Sequence, residues 1–155
     1  MQLWNKFTDL LITRKLRLGP NASIDANGLS VKFNVVVLTA AKAVLASESG
    51  TVFVLRGATA GAAITLPPKA SGLRYKFIVG DAFATTDWTV TPTDTDIIYG
   101  TLSVNAADVE ASATDVVTFV ASAETIGDWA ELICDGTYWY LSGFAAAAGG
   151  ITSTG

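Results

Sequence analysis

Residues 73–79, LRYKFIV, alternate without a break: Leu73, Tyr75, Phe77 and Val79 fall on one side, and Arg74, Lys76 and Ile78 on the other. A period of two is that of a β-strand with one face in a core. The pattern recurs along the chain. In VKFNVVVL (31–38), Phe33, Val35 and Val37 share a face, and in TVFVLR (51–56) Phe53 and Leu55 do. AAITLPP (62–68), WTVTP (88–92), IIYGTLSV (97–104) and VVTFVA (116–121) are further β-branched and aromatic runs. Clusters of Gly, Pro, Asp and Thr separate these runs at roughly 8 to 12 residues, the spacing of a sandwich or barrel. No long helical pattern falls between them, which argues against a parallel βαβ sheet. The expectation is an all-β fold: an antiparallel β-sandwich or jelly-roll-like body of about nine strands over residues 31–143.

The last two of those strands lie in GDWAELICDGTYWYLSG, residues 127–143. Asp135-Gly136 between two alternating runs predicts a hairpin with those two residues as its turn. That register sets Cys134 opposite Thr137, Leu132 opposite Trp139 and Ala130 opposite Leu141, an apolar face for the core. The other face pairs Ile133 with Tyr138, Glu131 with Tyr140 and Trp129 with Ser142. It is large and aromatic, the composition of an interface. Trp129, Ile133, Tyr138 and Tyr140 are therefore the candidate self-association residues. The competing reading has a loop or the N-terminal helix covering that face.

Upstream of the strands the period changes. Leu3, Trp4, Phe7, Leu10 and Leu11 recur at three- and four-residue spacing, the stripe of a short amphipathic helix that Gly19-Pro20 stops. PNASIDANG follows, with Asn27-Gly28 as a candidate hairpin turn. Residues 1–30 thus read as an N-terminal amphipathic arm. A helix this short is marginal alone and must dock on its own domain or on a partner. Arg14, Lys15 and Arg17 cluster at its end, with an acidic protein surface as the favoured counterpart over nucleic acid. At the other terminus FAAAAGGITSTG (144–155) is low in complexity and reads as a floppy Ala/Gly-rich tail.

Charge is split along the chain. All ten Lys and Arg lie between Lys6 and Lys76, beside three acids, while eleven acids and no base follow residue 76. Such a split suggests either two different neighbours or two halves folded against each other. The chain has no histidine and a single cysteine, Cys134. That removes an internal disulfide, His-bearing zinc sites and histidine-activated nucleophiles. No run has the roughly 18 to 20 apolar residues of a membrane helix, and the N-terminal segment carries too many charges for a secretory signal. Asp94 and Asp96 form a D-x-D pair without the other ligands of a calcium loop. Glu131 and Asp135 could be imagined as a glycosidase pair, but no spacing fixes their separation. RGATAGAAITLPP lacks the Lys-Ser/Thr ending of a phosphate loop and reads as a hairpin connection. No catalytic site, metal or cofactor is expected.

Two stretches, GTVFVLRGATAGAAITLPPKASGLRYKFIVG and GDWAELICDGTYWYLSG, resemble a module of tailed-bacteriophage virion proteins, in particular the small β-rich head decoration, or cement, proteins. Related blocks occur in tail-fibre proteins. The likeness covers about residues 50–143, and its most specific part is Gly-Asp-Trp, a short strand, Cys-Asp-Gly-Thr and Trp-Tyr. It implies a structural protein on the outer surface of the capsid, synthesised in the bacterial cytoplasm. The implied partners are the major capsid protein and the chain itself, as a trimer, with no nucleic acid and no membrane. The chain's shortness and its basic arm favour head over tail, with Trp4, Phe7, Leu11, Arg14, Lys15 and Arg17 as the capsid-contact candidates. The rival reading is a tail-fibre or receptor-binding protein whose aromatic hairpin meets host surface glycans.

Overall fold

The computed structural model of the chain describes residues 33–57, 61–95 and 97–155. The helical arm expected over residues 1–30, with its capsid-contact candidates Trp4, Phe7, Leu11, Arg14, Lys15 and Arg17, lies outside the described residues, as does the Asn27-Gly28 turn. The described chain is all-β, with a single 3-10 turn at Ala46–Glu48. Its strands are β1 (Val35–Leu38), β2 (Lys42–Ala43), β3 (Val52–Leu55), β4 (Ala63–Thr65), β5 (Leu73–Val79) and β6 (Trp88–Thr91). They continue as β7 (Ile98–Val104), β8 (Ala107–Thr114), β9 (Val116–Phe119), β10 (Trp129–Cys134), β11 (Trp139–Ala145) and β12 (Ile151–Thr154). All nine expected strands are present, joined by the short β2 and by β8 and β12.

The strands form a seven-stranded sheet, β1-β3-β5-β10-β11-β7-β8, and a five-stranded sheet, β12-β9-β6-β4-β2. Both sheets are mixed, which corrects the antiparallel, jelly-roll expectation. β1, β3 and β5 run parallel in one sheet, and β2, β4 and β6 run parallel in the other. The chain crosses from sheet to sheet after each of these strands, so β1 to β6 wind as three stacked coils. A parallel pair needs a long crossover, and here each crossover contains a strand of the opposite sheet instead of a helix. The RGATAGAAITLPP segment is accordingly a crossing between sheets from β3 to β4, not a hairpin. Antiparallel pairing dominates afterwards: β10 lies against β5, β11 against β10, β8 against β7, β9 against β6 and β12 against β9, while β11 and β7 pair in parallel.

The inward residues of both sheets fill one core. Phe53, Leu55, Tyr75, Phe77, Leu132, Trp139 and Leu102 from the larger sheet meet Ile64, Trp88, Val90, Val117, Phe119 and Ile151 from the smaller. Phe53 stacks on Phe77 at 5.5 Å between ring centroids. The alternation in β5 is obeyed throughout: Leu73, Tyr75, Phe77 and Val79 are buried.

The C-terminal segment is not a floppy tail. β11 runs on through Phe144 to Ala145, and β12 pairs with β9 with Ile151 buried in the core. Its far end is tied down by the Asp115 amide donating to the Thr154 carbonyl at 2.9 Å, and by a 2.6 Å hydrogen bond between the hydroxyls of Thr114 and Ser153. The Ala and Gly residues from 146 to 150 occupy the turn between the two strands, where Gly149 takes φ +76°.

The 129–145 hairpin forms with the expected faces in a different register. Cys134 pairs with Trp139, Ile133 with Tyr140, Leu132 with Leu141, Glu131 with Ser142, Ala130 with Gly143 and Trp129 with Phe144. The shift is by two residues, so every side chain keeps its face. Its cause is local: one Asp135 carboxylate oxygen accepts the Thr137 and Tyr138 amides at 2.7 and 2.8 Å, moving the tight turn one residue along to Gly136-Thr137. Gly136 takes φ +102° there, a conformation for which glycine has no steric penalty.

Candidate interaction surface

The outer face of the seven-stranded sheet gathers the largest set of exposed apolar side chains. Strand register arranges them in three rows. One row runs Val37, Val54, Ile78, Trp129, Phe144, Ser103 and Asp108. The next runs Val35, Val52, Lys76, Glu131, Ser142, Thr101 and Glu110. The third runs Arg74, Ile133, Tyr140 and Tyr99. Side chains opposite one another on neighbouring strands are within contact reach, so the rows form one continuous surface.

All four self-association candidates belong to it. Ile133, Tyr138 and Tyr140 are 42%, 40% and 46% exposed. Trp129 is half-buried, and the Lys76 ammonium lies 4.2 Å from its ring centroid, a cation–π contact. Tyr138 stands in the turn with its ring edge-on to Tyr99, 5.0 Å between centroids. Tyr99, Tyr138 and Tyr140 together line a notch at that end of the sheet. The Tyr140 hydroxyl donates to Asp135 at 3.0 Å. The Tyr138 and then the Thr137 amides hold the Asp135 carboxyl below the usual carboxylate range, and the carboxylate in turn raises the Tyr140 phenol above its ordinary value.

Sequence reasoning missed several members of this surface. Phe144, 43% exposed, was assigned to the tail, although the alternation Tyr140, Ser142, Phe144 continues into it. Tyr99 enters because β7 is the parallel neighbour of β11, a pairing no local signal announces. Lys76 lies on the side of β5 away from the core, and alternation alone does not distinguish such a position from ordinary solvated surface. Asp108 and Glu110 sit on β8, whose sequence ADVEASAT is poor in β-branched and aromatic residues.

The charge split resolves partly inside the fold. Arg56 meets Asp81 at 3.7 Å, Lys69 meets Asp94 at 3.0 Å, and Arg74 meets Glu131 at 2.5 Å, so cations of the first half face acids of the second. The Glu131 carboxylate raises the Arg74 guanidinium above its ordinary value. Lys42 pairs locally with Glu48 at 2.9 Å. Among the described residues Lys76, Asp108 and Glu110 have no ion pair.

The residues weighed for chemistry are dispersed or already engaged. Glu131 is held by Arg74, and Asp135 by its own turn. Asp94 pairs with Lys69, and Asp96 lies outside the described residues. Among the described residues no three His, Cys, Asp or Glu side chains come together as a metal-binding group, and no helix is long and apolar enough to cross a membrane. Asp128 of the Gly-Asp-Trp motif is buried. Its two oxygens accept the Thr125 amide at 2.8 Å and the Ala146 amide at 2.9 Å, joining the start of β10 to the end of β11.

No protein-family model and no curated protein matches the chain.

Proposed function

We propose that this chain is a virion structural protein of tailed bacteriophages, a capsid decoration protein that binds the assembled lattice of major capsid protein and stabilises the shell. The observation that carries the reading is the outer face of the seven-stranded sheet, where Trp129, Ile133, Tyr140 and Phe144 form one surface beside Tyr99 and Tyr138. Apolar area of this kind is stabilised by contact with another protein. The role is one of binding, not of turnover. A protein that binds the assembled shell and not its dissociated subunits shifts the equilibrium towards the shell by mass action. In this reading the outer face joins copies of the chain to one another. The arm, through Trp4, Phe7, Leu11, Arg14, Lys15 and Arg17, reaches the capsid.

The test is to mix the purified chain with assembled shells and with dissociated capsid subunits, and to count copies per particle. Hundreds of copies on shells, and none on free subunits, is the expected result. Removing residues 1–18 should leave a folded β body that no longer coats. Binding to neither form, or full coating by the truncated chain, defeats the proposal or its arm respectively.

The notch of Tyr99, Tyr138 and Tyr140 favours a second reading, a tail protein that stacks host-surface sugars on those rings. A few dozen copies or fewer per virion would select it.

A further inference from the structure

We infer that the outer face of the seven-stranded sheet is self-complementary and closes on a second copy of the chain about a two-fold axis running along β11. The inference rests on the reading of that face as a self-association surface, and it adds the symmetry of the contact. It replaces the trimer that the resemblance implied.

The argument comes from how charge is laid across the face. Its β5 side carries Arg74 and Lys76, its β8 side carries Asp108 and Glu110, and the aromatic residues lie between. In the middle row Lys76, Glu131, Ser142, Thr101 and Glu110 are neighbours in that order, so Ser142 is the midpoint. A two-fold axis along β11 turns one face onto the other while keeping each residue at its height along the strands. It sets Lys76 opposite Glu110 of the second copy, twice over. It also sets Phe144 against Phe144 and Tyr140 against Tyr140 at the axis, and Ile133 against Tyr99. The other in-plane two-fold, running across the strands, lays β5 on β5 and β8 on β8 and so opposes like charges. The charge pattern therefore selects the first arrangement.

Lys76 and Glu110, the residues that would pair, have no ion pair among the described residues. Lys76 rests on the Trp129 ring, and Glu110 is exposed on the outermost strand. Face-packed sheets cross at about 30°. Two strands from the axis, roughly 10 Å, this offsets facing residues by about 5 Å, which Lys and Glu side chains can span. Five strands at about 4.8 Å spacing and six or so residues at about 3.3 Å give a footprint of roughly 24 by 20 Å. With side-chain relief that approaches the roughly 800 Å² per partner of a stable interface.

The experiment is sedimentation equilibrium of the full chain with Lys76→Glu, Glu110→Lys and the double reversal, each checked for native circular dichroism. The wild type should be a dimer. Each single reversal should weaken association about tenfold or more, and the double reversal should recover most of that loss. Because Lys76→Glu sets a carboxylate beside Glu131, Lys76→Gln and Glu110→Gln repeat the measurement. Each should weaken association and reduce its dependence on salt. A trimeric wild type overturns the inference. So does a dimer indifferent to these changes, although the face would then still self-associate by another geometry. A wild type that is monomeric and makes no self-contact on particles defeats the self-association reading as well.

Discussion

Replacing Asp128 with Ala should cost about 3 kcal/mol of folding stability. The carboxylate is 1% exposed and accepts two amides, from Thr125 at 2.8 Å and Ala146 at 2.9 Å. Hydrogen bonds to a charged acceptor contribute about 1.5–3 kcal/mol each, and removing the acceptor leaves both donors seeking partners. Both amides lie in partly buried surroundings, so water can recover part of the loss and the lower end of that range applies to each. For a domain of this size, about 3 kcal/mol corresponds to a fall in Tm of roughly 6 to 12 °C. Asp128→Asn keeps one acceptor oxygen but turns a donor towards the other amide, so it should lose at least half as much. Urea unfolding followed by tryptophan fluorescence measures both variants, with the midpoint shifting at constant slope.

The same substitution should reach the interaction surface. Asp128 joins the first residues of β10 to the last of β11, and Trp129 and Phe144 project side by side from that junction. Amide exchange should therefore accelerate at residues 129 and 144–146 before it does at the Asp135 end of the hairpin. A loss below 1 kcal/mol for Asp128→Ala, or an Asn variant as stable as the wild type, refutes the reasoning.

Gly100→Ala should lose about 3 kcal/mol or more, since a Cβ at that position would lie 1.9 Å from the Leu141 carbonyl oxygen and the backbone there has φ +150°; a loss under 1 kcal/mol in urea would contradict the close parallel approach of β7 and β11. Asp135 supplies a pH dependence. Its carboxyl is held low chiefly by the Tyr138 amide, so its contribution is complete above the unfolded value of about 3.9 and is lost as pH falls through the lower folded value. Thermal scans should show this loss in acid, and Asp135→Asn should flatten that limb of the profile; an unchanged limb would exclude the turn as its source.

What was legible in the sequence was set by neighbours along the chain. Alternation places Tyr75, Phe77, Leu132 and Trp139 in the core because a strand's two faces are fixed by its own residues. It also separates Ile133 and Tyr140 from Leu132 and Leu141 even with the hairpin register misread, because a slip of two residues preserves the faces. Which strands lie side by side is a long-range property. The three coils have no fixed length: Val35 pairs with Val52, but Val52 with Lys76. No repeat is therefore visible, and the parallel pairing passed unnoticed. β8 and β12 were missed for other reasons. ADVEASAT in β8 has few β-branched or aromatic residues and is held by tertiary pairing, while β12, Ile151–Thr154, is β-branched but only four residues long and follows directly on an Ala/Gly run.

The surface owes its character to where the hairpin is inserted. β10 and β11 follow β7 and β8 in the chain yet lie between β5 and β7 in the sheet. Had the hairpin been added beyond an edge, β5 could have lain against the β7–β8 pair, with Lys76 near Glu110. Inserted where it is, the hairpin holds them four strand spacings apart, roughly 19 Å. That exceeds the Debye length of about 8 Å at physiological ionic strength, so the two charges are largely screened from each other. The insertion also fills the gap with Trp129, Ile133, Tyr140 and Phe144. One topological step thus creates an apolar strip and leaves a cation and an anion on opposite sides of it, each best satisfied by a second molecule turned through half a circle about β11.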